Sequence, residues 1–281
     1  MAEAIVERVK RYVLDGSDAD LRRLVGVSQV SQDMARAAFR RVGVREGWTA
    51  IDCGCGPIGA LAVMAELVGP AGRVVGVDVS EPTIRQAHAV VTELALSNVA
   101  LVVGDLHELD AAALGGPFDL AYTRLFLMHQ PDPVRTLRQI AGLLCPGGFL
   151  VAHEALRRPA PRSHPHLDAL DRYWELLFEV IERVGGAPHD GVEDLTQSAR
   201  AAGLEVVDTH GYFRTIAPEL GFELHASTLA AAKERSVKAG IASAQQLDEL
   251  AGALRAARDG TYAWVTSPFF RDLTLRKPTA A

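Results

Sequence analysis

The sequence predicts an α/β protein organised around a parallel sheet, and three observations carry that prediction. Ala50 to Ser80 (AIDCGCGPIGALAVMAELVGPAGRVVGVDVS) reads as strand, glycine turn, helix and strand. Short β-branched runs then alternate with amphipathic stretches as far as Glu154, the rhythm of parallel strands joined by right-handed helical crossovers. Punctuation falls between the runs at Gly69-Pro70, Ser80-Glu-Pro82, Asp132-Pro133 and Pro146-Gly-Gly148, where helices start or chains turn.

In chain order, residues 1–44 read as helical. Ile5, Val9, Tyr12 and Val13 recur at helical spacing, a polar turn covers Asp15 to Asp18, and Gln29 to Val42 is a second amphipathic segment. This is either a helical layer at the sheet edge or a lid, and as a lid it would present Tyr12 or Gln29 to a ligand. The first strand is Trp48 to Asp52; Gly54, Gly56 and Gly59 break it before a helix that stops at Gly69. The second strand runs from Arg73 to Val77 and ends on Asp78, and a helix follows over Ile84 to Leu96. The third strand is Asn98 to Val103, the fourth Phe118 to Thr123, then a helix from Asp132 to Leu144, a turn at Cys145 to Gly148 and a fifth strand from Phe149 to Glu154. A Pro- and His-rich loop then leads into a helix at Leu167 to Val184, another helix spans Glu193 to Ala202, and Leu204 to Thr215 is a sixth strand. Helices over about Pro218 to Asp259 precede a last strand from Tyr262 to Arg276. The division that follows is a helical lid (1–44), a ligand-binding core (45–155), a helical insertion over the site (156–190), and the rest of the core (191–281) with its own insertion at about 218–259.

Composition narrows the function. Apolar residues are 48% of the 281, enough for a sizeable core. With 29 Lys+Arg against 35 Asp+Glu the net charge is −6, which argues against a nucleic-acid partner. No apolar run approaches membrane-spanning length and the N-terminus carries no apolar signal core, so the expected compartment is the cytoplasm. Cys53, Cys55 and Cys145 form neither a disulfide framework nor a zinc set, and no metal is expected. Apolar faces on the N-terminal helices and the second insertion would suit a homodimer.

The glycine turn points to a ligand at a helix N-terminus, and an acidic residue closing the next strand suits ribose hydroxyls. As a bare spacing, Gly54-x-Gly56-x-x-Gly59 is also a dinucleotide fingerprint, so a nicotinamide-dependent oxidoreductase is a second reading. Asp52 weighs against it: a carboxylate before the turn repels a pyrophosphate and favours a cationic tail. Asp52-Cys-Gly-Cys-Gly56-Pro-Ile-Gly59 resembles the first motif of class I S-adenosylmethionine-dependent methyltransferases. The resemblance continues through Val77-Asp-Val-Ser80, Gly104-Asp105, Phe118 to Arg124 and Leu143 to Gly148, covering most of residues 45–155, and Trp264 to Pro278 is similar to the final strand of small-molecule members. One departure is Ile58, where the family has glycine. The resemblance implies a Rossmann-like seven-stranded sheet, mostly parallel with its last strand antiparallel, and S-adenosylmethionine as cofactor. By the family's pattern Asp52, Gly54, Cys55 and Gly56 line the amino-acid end, and Asp78 with Val79 holds the ribose. Gly104, Asp105 and Leu106 flank adenine, and Thr123 and Arg124 border the methionine carboxylate.

Methyl transfer from a sulfonium asks the protein to align nucleophile, methyl and sulfur, and needs a base only when the nucleophile arrives protonated. His129, just past the fourth strand, is the candidate for that base or for a place beside the cofactor. His153 and Glu154 end the fifth strand on the ligand side. Glu154 would orient substrate or cap the next segment. His153, His166, Tyr173, Trp174 and Phe178, with Tyr12, are candidate substrate contacts, the aromatics suiting a flat or apolar acceptor. His88, His107, His189 and His225 read as solvated polar residues. The expected activity is methylation of a small molecule, at oxygen, in secondary metabolism; a protein that binds the cofactor without transferring methyl is a third reading.

Overall fold

Alternating β-branched runs become strands because both faces of a parallel sheet are covered, and the burial follows that rule: Ile51, Val74, Val75 and Val77 are all buried. The computed structural model describes residues 32–57 and 59–279. The N-terminal segment around Tyr12, with Gln29 and its face for a homodimer, lies outside the described residues, as does Ile58. A helix over 32–42 (α1) precedes β1 (Thr49–Cys53), α2 (Leu61–Val68), β2 (Arg73–Asp78), α3 (Glu81–Glu93) and β3 (Val99–Val103). Then come β4 (Phe118–Arg124), α4 (Pro133–Leu143) and β5 (Leu144–Leu156). Ser80 caps α3 and Asp132 caps α4, each side chain accepting an N–H of the first turn with Pro just inside the helix, as the sequence signals required.

The main sheet has seven strands in the order β3-β2-β1-β4-β5-β10-β7, where β7 is Glu205–Tyr212 and β10 is Phe269–Arg276. Neighbours are parallel from β3 to β5, and β10 runs antiparallel to both β5 and β7. The fold is therefore the Rossmann-like α/β arrangement with an inverted last strand. One face packs on α1, α2 and α3 through Phe39, Met64 and Ile84, and the other on α4 and α6 (Val192–Ala201) through Leu137, Ile140 and Leu195.

The structure corrects three boundaries. The turn at Cys145 to Gly148 lies within β5, which pairs with β4 through an irregularity and accommodates it at Gly147 with φ of 81°. The single strand expected from Tyr262 to Arg276 is two, β9 (Trp264–Thr266) and β10, in different sheets. Pro268 between them has no N–H to donate, so the ladder cannot continue through it. The sixth strand stops at Tyr212 and resumes as β8 (Thr215–Ile216), which joins β9 and β6 (Ser163–His164) in a small second sheet. The helices of the two insertions, α5 (Asp168–Arg183), α7 (Pro218–Lys238) and α8 (Ala244–Ala256), share a core of Leu170, Leu176, Phe222, Leu229, Leu247 and Leu254. Segments separated in sequence thus form one helical roof, beside the carboxyl ends of β4 and β5. Among the described residues no helix is long and apolar enough to cross a membrane.

Candidate active site

The turn after β1 is tied down before any ligand arrives. Gly54 and Cys55 donate their N–H groups to Val77 O at 2.9 and 3.0 Å. Gly54 has φ of 72° and the Phe126 ring stands where its Cβ would be, so glycine is required twice over. Gly56, at φ of 61°, has no atom of the described residues within 4 Å of an added Cβ. Asp78 Oδ2 accepts the Gly56 N–H at 3.1 Å and Oδ1 the Ser80 N–H at 2.9 Å, which places its carboxylate on the turn at the end of β2. Val79 beside it is 73% exposed, a large apolar side chain held in solvent. Gly104 donates to Asp78 O, and Asp105 Oδ1 accepts from His107 N and begins the short turn Leu106–Glu108, in which Leu106 is buried.

Two polar groups lie beneath this surface. Asp52 is buried, its Oδ2 accepts the Ala60 N–H at 3.0 Å, and burial pushes its carboxyl up to about 6 against the pull of that bond and of Arg124. Thr123 is fully buried, and its Oγ1 finds no hydrogen-bond partner among the described residues. The Cys55 side chain is also buried, directed toward Gly76, and leaves only its backbone to the turn. Burial raises the Cys53 and Cys55 thiols well above the ordinary range, so neither is a nucleophile at neutral pH.

Beside the turn a cavity of about 500 Å³ opens between the ends of β4 and β5 and the helical roof. Leu125, Met128 and His129 form one wall, His153 and Ala155 of β5 a second, Tyr173, Trp174 and Leu177 of α5 a third, and His225, Thr228 and Arg235 of α7 the fourth. Among the described residues no aspartate or glutamate lines it. The wall carrying His129 is built by backbone hydrogen bonds. Leu125 adopts φ of 50° and donates to His153 O, and the buried Glu154 accepts from Phe126 N and Leu127 N at 3.0 Å and Met128 N at 3.3 Å. Glu154 therefore holds the turn Leu127–His129, and burial pushes its carboxyl up to about 7. The His129 ring is reached by solvent, while partial desolvation and then the charge of Arg235 lower its pKa below the usual value.

His153 is joined to Asp272 of β10. Their strands place them directly opposite one another, and Nδ1 lies 2.6 Å from Asp272 Oδ1, both residues being 2% exposed. Arg41 of α1 binds the other carboxylate oxygen at 2.6 Å, and the Tyr212 hydroxyl sits 3.5 Å from both His153 Nδ1 and Asp272 Oδ1.

Among the candidate substrate contacts, the structure brings His153, Tyr173 and Trp174 to the cavity together with His129. It places two elsewhere. Phe178 is 2% exposed and packs on Met34, Met128 and Ile181 with the Arg157 guanidinium 5.2 Å from its ring, so it props the roof instead of facing the cavity. His166 is a surface residue paired with Asp168 and Asp171 at 3.0 and 3.4 Å. His189 and His225 are not solvated as their isolation in sequence suggested: both are buried, and each ring keeps one nitrogen without a partner among the described residues. His225 lies 4.6 Å from the Tyr173 ring, lines the cavity, and is pushed down to about 3 by burial, hence neutral. Sequence reasoning missed Asp272, Arg41 and Arg235. For Asp272 a signal existed: a charged Arg271-Asp272 pair inside the apolar run FFRDLTLR.

Comparison with known proteins identifies the family. A family profile described as a methyltransferase domain matches residues 45–203. An uncharacterized 37.1 kDa protein in transposon TN4556 of Streptomyces fradiae is 32% identical over 236 residues, 82% of this chain and 61% of that protein. The demethylmenaquinone methyltransferase of Geobacillus stearothermophilus is 26% identical over 243 residues, 79% of this chain and 100% of that enzyme. The nocamycin O-methyltransferase of Saccharothrix syringae is 34% identical over 131 residues, 45% of this chain and 46% of that enzyme. The matched stretches thus span less than two thirds of the first and third of these relatives.

Proposed function

The chain belongs to the methyltransferase-domain family of class I S-adenosylmethionine-dependent enzymes, and from that premise we propose that it methylates a hydroxyl oxygen of a small, largely apolar acceptor in secondary metabolism. When bound, S-adenosylmethionine supplies an activated methyl group on a sulfonium. The residues of the turn suit it. Asp78 and Val79 would hold the ribose and one side of the adenine, with Gly104, Asp105 and Leu106 around the base. The approach at Gly56, with the backbone of Gly54 and Cys55, would take the amino-acid end. Asp52 and Arg124 would meet its ammonium and carboxylate, and the unpartnered Thr123 Oγ1 offers a hydroxyl nearby. A buried carboxylate whose charged form is disfavoured by desolvation gains most from a cation, which a diphosphate cannot provide.

The observation that carries the acceptor's chemistry is the lining of the cavity. Among the described residues it is aromatic and aliphatic, offers imidazoles and the Arg235 guanidinium, and has no carboxylate to balance an ammonium, which favours a hydroxylated molecule over a cationic amine. Tyr173, Trp174 and His153 would contact the acceptor and the roof would exclude water. His129 stands between the acceptor and the cofactor turn. The test is mass spectrometry of 2-naphthol and a panel of hydroxylated polycyclic probes incubated with the protein and trideuteromethyl-labelled donor. The expected product carries one labelled methyl on oxygen. Transfer only to carbon or to amines, or oxidation of the probe with a nicotinamide cofactor, would contradict the proposal.

A further inference from the structure

Within that reading of the cavity, we infer that the group which takes the proton from the acceptor hydroxyl is His153, held in its accepting form by Asp272, and that His129 does not serve as the base. The pair is built by strand register, since residues 153 and 272 face each other across the β5–β10 ladder. An ionised aspartate only accepts hydrogen bonds, so at 2.6 Å the His153 Nδ1 is the donor and carries the ring proton. Arg41 fixes the carboxylate through its second oxygen, and the Phe270 ring, 4.7 Å from the imidazole, holds the ring plane. With Nδ1 committed, the lone pair is on Nε2, for which no partner is found among the described residues, on a ring that lines the cavity.

His129 is built differently. No hydrogen bond to its ring is found among the described residues, and desolvation and then Arg235 oppose the positive charge a base must accept. His153 would become an imidazolium against the Asp272 carboxylate, which it shares with Arg41, itself paired with Asp208 at 3.5 Å. As the hydroxyl oxygen bonds to the methyl carbon, the carbon–sulfur bond breaks with its electron pair on sulfur. The hydroxyl proton passes to His153 Nε2 and leaves to solvent after the product. His153 is the catalytic residue in this scheme and Asp272 a positioning residue.

Two readouts test it. In ¹H–¹⁵N spectra of the cofactor-free wild-type chain, His153 is expected protonated at Nδ1 and bare at Nε2. In Asp272→Asn, Arg41 keeps the amide oxygen and the amide NH₂ faces Nδ1, so the proton is expected to move to Nε2. Methyl transfer to 2-naphthol should fall by about 100-fold or more in His153→Gln and Asp272→Asn, with S-adenosylhomocysteine affinity kept. His129→Gln, a change in the cavity wall, should lower turnover less than either of these at saturating cofactor. A wild-type ring bare at Nδ1, or variants at 153 and 272 that keep turnover while His129→Gln loses it, would overturn the assignment and leave oxygen methylation standing. A wild-type chain that methylates no hydroxylated probe would overturn the functional reading itself.

Discussion

Glu154 uses both carboxylate oxygens on the backbone of residues 126–128, and by doing so it sets where His129 points. Its folded pKa of about 7 lies above the ordinary 4.5 because burial outweighs three N–H donors. The linkage then has a definite sign: the protonated carboxyl is favoured in the folded state, so its contribution is fully present below about pH 4.5 and is lost as the pH rises to about 7. Relative to Glu154→Gln, the wild type should therefore lose stability on the order of 3 kcal/mol between those two pH values. Urea unfolding of both proteins across that range checks it, and a pH-independent difference would contradict it. The desolvation of His129 and His225 acts the other way, lowering their pKa values, so only the difference between the two proteins isolates Glu154.

At the scale of elements, the cavity proposed for the acceptor exists because α5 and α7 are carried over the ends of β4 and β5. Thr228 of α7 lines it, and its hydroxyl is already bonded to Leu224 O at 2.8 Å, so the residue offers the cavity only its small side. Thr228→Phe should fill part of the cavity and raise the KM for 2-naphthol by about tenfold, a cost of about 1.4 kcal/mol, with cofactor affinity unchanged. Steady-state kinetics with a parallel cofactor titration reads both, and an unchanged KM would move the acceptor elsewhere. The helices and strands themselves were legible, since their apolar periodicity and capping residues are local: Ser80 and Asp132 announce α3 and α4. What local pattern cannot show is which strands meet. His153 and Asp272 are 119 residues apart and become neighbours only through the antiparallel register of β10 on β5. His225 reads as a solvated histidine because no motif surrounds it in sequence; packing against Tyr173 and Trp174 buries it.

For the whole molecule, the seven-stranded sheet brings two sites to one edge. The glycine turn and the residues proposed for the cofactor lie at the carboxyl ends of β1, β2 and β3, and the cavity proposed for the acceptor at those of β4 and β5. The strand-turn-helix motifs of the first were readable from their order and spacing, whereas the cavity depends on two insertions sharing a core, which no single stretch of sequence announces. The account depends on the cofactor turn having been shaped for a cationic sulfur nucleoside. Calorimetric titration with S-adenosylhomocysteine, for wild type and Asp78→Ala, tests that most directly. One saturable site, weakened about tenfold or more by the substitution, is the predicted result. No saturable heat with this nucleoside, or tight binding of a nicotinamide dinucleotide at the same turn, would contradict it.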